Sequence, residues 1–186
     1  MATLALGYAP RGAFPTPSFA QSRNWWYQWF MCCEPGAQAV AEDPRGFAHI
    51  QWRTWSPPGW FDEDEFARTA ASFDNPDWVA VTLHAYRSRW LPEACDPRYD
   101  GLQRRLEEIE TLSTPTLMIQ GDADACDPPS ESDRQGQYFA GGGRRLILDI
   151  VGHFPAREAP AFCCRRPPRA LGRYGAVHLP IGGANK

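Results

Sequence analysis

The apolar positions of this chain follow two different periods. Short continuous runs occur at Ala2–Leu6, at Leu117-Met118-Ile119 and at Leu146-Ile147-Leu148. Runs this short, bounded by Pro, Gly and acids, predict strands buried on both faces, as in parallel sheets. Between the first and second runs the spacing becomes helical. Pro17, with Thr16 as its cap, predicts a helix carrying Phe19, Trp26, Phe30 and Cys33, interrupted at Pro35-Gly36. Asp43-Pro44 opens a second helix with Phe47, Ile50 and Trp55 on one face, ended by Ser56-Pro57-Pro58-Gly59. Asp62 and Glu65 form a capping-box pattern ahead of Phe66, Ala70 and Phe73. Asn75-Pro76 starts a helix whose stripe is Val79, Leu83, Tyr86 and Trp90, closed by Pro92, and Leu102, Leu106 and Ile109 mark one more.

From Pro115 the order becomes strand, helix, strand, helix. The first strand ends at Gly121, a helix is predicted over Ser130 to Phe139, and Gly141-Gly142-Gly143 turns the chain into a strand over Arg145 to Ile150. A short helix follows Pro155. This order implies a parallel βαβ unit with a right-handed crossover. From Cys163 onward Pro, Gly and Arg replace any apolar period, so a disordered or poorly packed tail is expected. The predicted class is α/β. A core strand and loop occupy 1–16, a helical block 17–112, a carboxyl-terminal α/β segment 113–162 and an irregular tail 163–186.

Composition narrows the function classes. The 186 residues are 43% hydrophobic and 22% charged, ordinary for a globular chain with a sizeable core. A net charge of −3 gives no electrostatic reason to expect nucleic acid. No run approaches a membrane span, and Ala2 to Leu6 is too short and lacks the basic start of a signal peptide. Six cysteines, including two vicinal pairs, and four scattered histidines contain no C-x-x-C or H-E-x-x-H spacing. No metal, no cofactor and reduced thiols in a cytoplasmic protein are the expectation. Eight Trp and ten Phe, with six of the Trp between Trp25 and Trp60, suit the lining of a pocket for a small apolar substrate or ligand.

Two strands deliver titratable residues at their carboxyl ends, where open α/β sheets place their sites. His153 follows the Arg145–Ile150 run, and Asp124 follows the Leu117–Ile119 run, 29 residues earlier. Neighbouring parallel strands bring both to one sheet edge, where an aspartate can hold the Nδ1 proton of the histidine and stabilise its imidazolium. Asp122 and Asp127 compete for that role, and spacing alone does not choose among the three acids.

These segments resemble the carboxyl-terminal part of an α/β-hydrolase, similar to soluble epoxide hydrolases and haloalkane dehalogenases. Pro115 to Asp124 resembles the strand with the P-T-x-x-x-x-G-x-x-D pattern, and by that pattern Asp124 is the acid. Gly152-His153-Phe154-Pro155, with Glu158 and Pro160, resembles the histidine loop. The helical block resembles the inserted cap. Within it, Trp26-Tyr27-Gln28-Trp29-Phe30 before Glu34-Pro35-Gly36 resembles the segment bearing one lid tyrosine, and His84-Ala85-Tyr86-Arg87 resembles the segment bearing the other. The resemblance implies that Tyr27 and Tyr86 donate to an epoxide oxygen, with Trp26, Trp29, Phe30 and Phe154 lining the substrate pocket.

The pattern departs from that family in one decisive place. The family's nucleophile is a Ser or Asp on a glycine-flanked elbow, and neither G-x-S-x-G nor G-x-D-x-G occurs. The early strands and the last helix of the family have no counterpart either. The expectation is therefore a partial α/β-hydrolase fold: parallel strands and an inserted helical cap, without the early strands, truncated and inactive alone. A non-catalytic protein that binds apolar ligands or partners, and a haloalkane dehalogenase-like fragment, are the alternatives. The oligomeric state is not legible.

Overall fold

In a computed structural model the protein is described over residues 2–4, 16–163 and 176–180. These residues form two compact units. One comprises 17–54 and 58–102 and is helical; the other comprises 1–16, Trp55–Pro57 and 103–186 and holds the sheet.

The first helix of this unit starts two residues later than its proline implies. Ser18 caps α1 (Phe19–Asn24), its Oγ accepting from Gln21 N at 3.1 Å, and Phe19 is 98% exposed rather than part of a buried stripe. The chain kinks at Trp25 into α2 (Trp26–Cys32). Pro35-Gly36 does not merely interrupt, because it opens α3 (Glu34–Glu42), where a proline in the first turn lacks only a donor that would be unused. A Cβ at Gly36 would collide with the Phe30 carbonyl, so only glycine lets α3 pass this close to α2. The helix α4 (Pro44–Thr54) packs Ala48 with Phe66 and Ala70 of α5 (Glu63–Ala70), and Trp52, Phe61 and Phe73 close around them. Asp62 caps α5 through Glu65 N at 2.7 Å, as the capping-box pattern predicts. The long helix α6 (Trp78–Trp90) keeps Val79, Leu83, Tyr86 and Trp90 half-buried.

The helix α7 (Asp100–Glu107) spans the division between the units, so the helical unit ends at Leu102, ten residues before the boundary at 112 expected from sequence. Trp55-Ser56-Pro57 is a second departure: it interrupts the helical unit and belongs to the sheet unit.

The sheet has four parallel strands in the order β1 (Ala2–Leu4), β2 (Thr116–Gly121), β3 (Gly143–Leu148) and β4 (Ala176–Leu179). The continuous apolar run predicts β2 well, and all six of its positions are buried. Leu117, Ile119, Leu148, Val151 and Ala159 form the core, with Leu146, Phe162 and Leu179 against them. Three expectations are corrected in this unit.

The crossover helix expected over 130–139 is only α8 (Pro129–Ser132) followed by a 3-10 turn over Gln135–Tyr138. Its Ser132 is drawn inward by a buried cation. The guanidinium of Arg145, 2% exposed, binds Asp133, Gln120, Ser132 and the Pro129 carbonyl, which satisfies a charge that an apolar core cannot hold alone.

The strand β3 stops at Leu148, not Ile150. Ile150 takes φ 62°, a left-handed conformation disfavoured for a β-branched residue, and its N–H donates to Asp122 Oδ1 at 2.6 Å.

Within the expected irregular tail, Ala176–Leu179 forms β4 beside β3. Four residues at a sheet edge draw their order from the ladder, which no apolar period announces. Ala5, Leu6, the loop of residues 7–15, and residues 164–175 and 181–186 of the tail lie outside the described residues. No helix among the described residues is long and apolar enough to cross a membrane. Cys32, Cys33, Cys95 and Cys126 form no disulfide. The helices α9 (Pro155–Glu158) and α10 (Pro160–Cys163) follow the His153 loop.

Candidate active site

The turn after β2 separates the three acids that sequence spacing leaves equivalent. Asp122 ties the turn to the exit of β3: its N–H donates to the Leu148 carbonyl at 3.0 Å, and its carboxylate receives the Ile150 N–H. Asp127 contributes backbone, donating its N–H to Asp124 Oδ1 at 2.8 Å and accepting Gln120 Nε2 on its carbonyl at 2.8 Å. Asp124 is 3% exposed and accepts a second N–H from Cys126 at 2.9 Å. Two backbone donors fix its carboxylate before any partner arrives.

That partner is His153. Its Nδ1 lies 3.0 Å from both Asp124 oxygens, across 29 residues of sequence. A carboxylate only accepts, so Nδ1 carries the proton and Nε2 of the neutral ring presents a lone pair. The register of β2 and β3, with Gly121 opposite Leu148, is what brings the two exit loops together.

A second layer holds the His153 loop. Ser56 Oγ accepts the His153 N–H at 3.0 Å and donates to Glu158 Oε1 at 2.7 Å. Glu158 also receives the N–H groups of Gly152 at 2.6 Å and Phe154 at 2.9 Å. Gly152 permits this arrangement, because a Cβ there would overlap the Ser56 side chain and backbone. Trp55 packs edge-on against the imidazole at 4.7 Å and stacks with Phe154 at 6.1 Å. Trp55 itself is held in the sheet unit by its carbonyl, which accepts Ala125 N–H at 3.2 Å.

In the helical unit, Tyr27 and Tyr86 meet edge to face with ring centroids 5.4 Å apart, although 59 positions separate them in sequence. Tyr27 is 5% exposed. Trp26 packs on Phe30 at 5.7 Å and on Phe47 at 6.4 Å, while Trp29 packs on Trp90 at 4.3 Å and donates its indole N–H to the Ser22 carbonyl. The predicted pocket residues therefore divide: Trp26, Trp29 and Phe30 lie in the helical unit, and Phe154 lies in the sheet unit beside His153. Nearby, Arg87 Nε donates to the Met31 carbonyl at 2.8 Å. Burial pushes the Cys32 thiol up from its ordinary value, the Arg87 charge partly opposes this, and neighbouring Cys33 adds to it.

No protein-family model matches the chain, and no curated protein matches it. Among solved structures it is similar to a putative epoxide hydrolase from Klebsiella pneumoniae, with 31% identity and a TM-score of 0.72. This likeness supports an epoxide hydrolase-like relationship and agrees with the α/β class of the sheet unit. The match covers 84% of this chain and 53% of the other, so this chain spans about half that protein's length.

One further cluster of donor atoms sits at the site. A ligand atom each from Cys126, Asp127 and His153 lie within 4.8 Å of one another. Three donors are one short of a closed structural zinc site, and Asp124 already engages the Nδ1 of the imidazole. The Asp124 carboxylate holds the ring through Nδ1.

Two residues escaped the sequence reading. Ser56 looked like part of a helix-ending Pro-Gly stretch, and nothing local marks it, since its partners lie 97 and 102 residues away. Glu158 stands in the histidine-loop motif, but its threefold acceptor role depends on the loop closing back on itself.

Proposed function

We propose that this chain carries the water-activating and epoxide-binding parts of an epoxide hydrolase. The observation that carries the reading is the buried Asp124–His153 pair, at 3.0 Å on both oxygens, in a chain similar to a putative epoxide hydrolase. In such chemistry a carboxylate opens the oxirane and becomes an ester. His153, with Nδ1–H held by Asp124, takes a proton from water through Nε2, the resulting hydroxide attacks the ester carbonyl, and the diol leaves. Asp124 stabilises the imidazolium during that step. Tyr27 and Tyr86 donate to the epoxide oxygen as the C–O bond breaks, since phenols with an ordinary pKa of about 10 stay protonated at neutral pH.

The ring-opening carboxylate has no elbow motif among the 186 residues. Losing a nucleophile from such a unit costs several orders of magnitude. Negligible turnover by the 186-residue chain is the expected outcome. Purified protein is incubated with an aryl epoxide and diol is measured against a His153→Ala control. Diol formation at a clear multiple of that control contradicts the assignment of inactivity, and failure of the protein to bind any epoxide contradicts the epoxide reading itself.

A second reading, retention of apolar ligands without turnover, is favoured by the aromatic content of the helical unit, where Trp52, Trp60, Phe61 and Phe66 contact one another. Saturable binding of epoxides and hydrocarbons alike, with no preference for an oxygen acceptor, is its signature.

A further inference from the structure

Gln28 sits beside Tyr27 on α2 and is 2% exposed. One end of its carboxamide faces α6, where Trp90 Nε1 lies 3.0 Å and Arg89 Nη1 lies 3.2 Å from Oε1. The other end faces Tyr27, with Nε2 3.0 Å from the phenol oxygen. An indole N–H and a guanidinium can only donate. The atom facing them must be the amide oxygen, so the partners themselves remove the usual ambiguity between the oxygen and nitrogen of a carboxamide. The amide N–H₂ is then turned to Tyr27, and it cannot accept. The phenol oxygen accepts, and the phenol's own hydrogen must point at a different acceptor.

We infer that Gln28 is a positioning residue that commits the Tyr27 hydroxyl to the role of hydrogen-bond donor. The assignment deepens the epoxide reading and its functional meaning rests on it: a committed donor favours ligands with an acceptor oxygen, such as ethers and epoxides, over hydrocarbons of the same shape. The chain of bonds is polarised in one direction. Arg89 brings positive charge to the amide oxygen, the amide N–H bond is strengthened as a donor, and the accepting phenol becomes a better donor in turn. Arg89 also lies over the Tyr86 ring at 5.8 Å, and Tyr86 holds the Tyr27 ring edge to face. One arginine thus anchors both the amide and the second tyrosine.

Raman spectroscopy tests this without turnover, because the tyrosine ring doublet and phenol C–O stretch differ between accepting and donating phenols. The Tyr27 signal is isolated as the difference between each protein and its Tyr27→Phe counterpart. The wild-type difference is expected to show an accepting phenol. In Gln28→Leu the accepting character is lost. In Gln28→Glu a carboxylate replaces the amide donor, so the phenol turns to donate to it and the signature moves further in the same direction. Circular dichroism checks that each variant folds, and if neither does, the wild-type difference alone decides. A wild-type Tyr27 that does not accept, or a signature unchanged in folded Gln28 variants, overturns the assignment. An accepting Tyr27 in a protein that binds no epoxide overturns the epoxide reading and leaves the role of Gln28 standing.

Discussion

Ser56 donates to Glu158 across 102 residues of sequence, at 2.7 Å, and the same hydroxyl oxygen accepts the His153 N–H. The bond links the stretch that divides the helical segments to the short helix after the histidine loop. The imidazole is thus held from two sides: Asp124 grips its ring, while Ser56 and Glu158 grip its backbone.

The Ser56 and Glu158 contributions should be coupled. Ser56→Ala removes one acceptor for a buried N–H and is expected to cost about 1 kcal/mol. Glu158→Ala strips acceptors from Gly152, Phe154 and Ser56 together, and about 2–3 kcal/mol is expected. The double variant should lose less than the sum, by roughly 0.5 kcal/mol or more, since the pair shares one network. Urea unfolding of the four proteins measures this, and strict additivity would show that the bond carries nothing.

Asp124 sets the tautomer of His153. In Asp124→Asn the amide oxygen can still accept the Cys126 and Asp127 N–H groups, which turns the amide N–H₂ toward Nδ1. The neutral ring should then carry its proton on Nε2, the reverse of the wild type. Nitrogen-15 NMR of labelled histidine, taken where the ring is neutral, distinguishes the two. The same tautomer in both proteins would refute the assignment.

Gly152 leaves no room for a side chain. In Gly152→Ala the new Cβ meets both the side chain and the backbone of Ser56, and backbone cannot yield cheaply. A loss of about 2 kcal/mol or more is expected, read as a lowered denaturant midpoint. An unchanged midpoint would mean that the loop has a second conformation of equal energy.

Ile150 offers the opposite sign. It is 75% exposed and held at φ 62°, so its side chain buries little while its backbone is strained. Ile150→Asn should stabilise by about 0.5–1 kcal/mol, because asparagine tolerates the left-handed region. The Asp122 acceptor for its N–H is untouched. A lower melting temperature would show that the isoleucine side chain matters more than its backbone.

The vicinal thiols should react unequally. Burial raises the Cys32 pKa, so at neutral pH its thiolate fraction lies below that of an ordinary cysteine, whereas Cys33 is exposed. Iodoacetamide should label Cys33 first at about pH 7. The Cys32 rate should keep climbing at pH values where an ordinary thiol has already levelled off. Peptide mapping at timed intervals reads both rates, and equal labelling at neutral pH would contradict the ordering.

The local patterns of the chain determined a good deal by themselves. The apolar run ending at Gly121 specifies a doubly buried strand because continuous apolar side chains have no wet face to occupy. Asp62 with Glu65 specifies a helix start, because a side-chain oxygen must meet an orphan N–H three residues on. The acid and the histidine are legible as residues at strand ends.

Tertiary structure alone decided which groups meet. Asp122, Asp124 and Asp127 are interchangeable by spacing and differ only in what the folded turn presents to them: the Ile150 N–H, the imidazole, or the side chain of Gln120. Ser56 carries no local signal, since its role exists only once β2 and β3 have brought the Trp55–Pro57 stretch and the histidine loop into one unit. Arg145 opens the strand expected over 145–150 with nothing local to mark its burial, and it is buried because Asp133, Gln120 and Ser132 converge on it from other segments. Gln28 likewise becomes a directional amide only when α6 supplies two partners that can do nothing but donate. Periodicity reports how a segment meets water. The choice of partner depends on contacts between segments far apart in sequence, and those are set by strand register and helix packing.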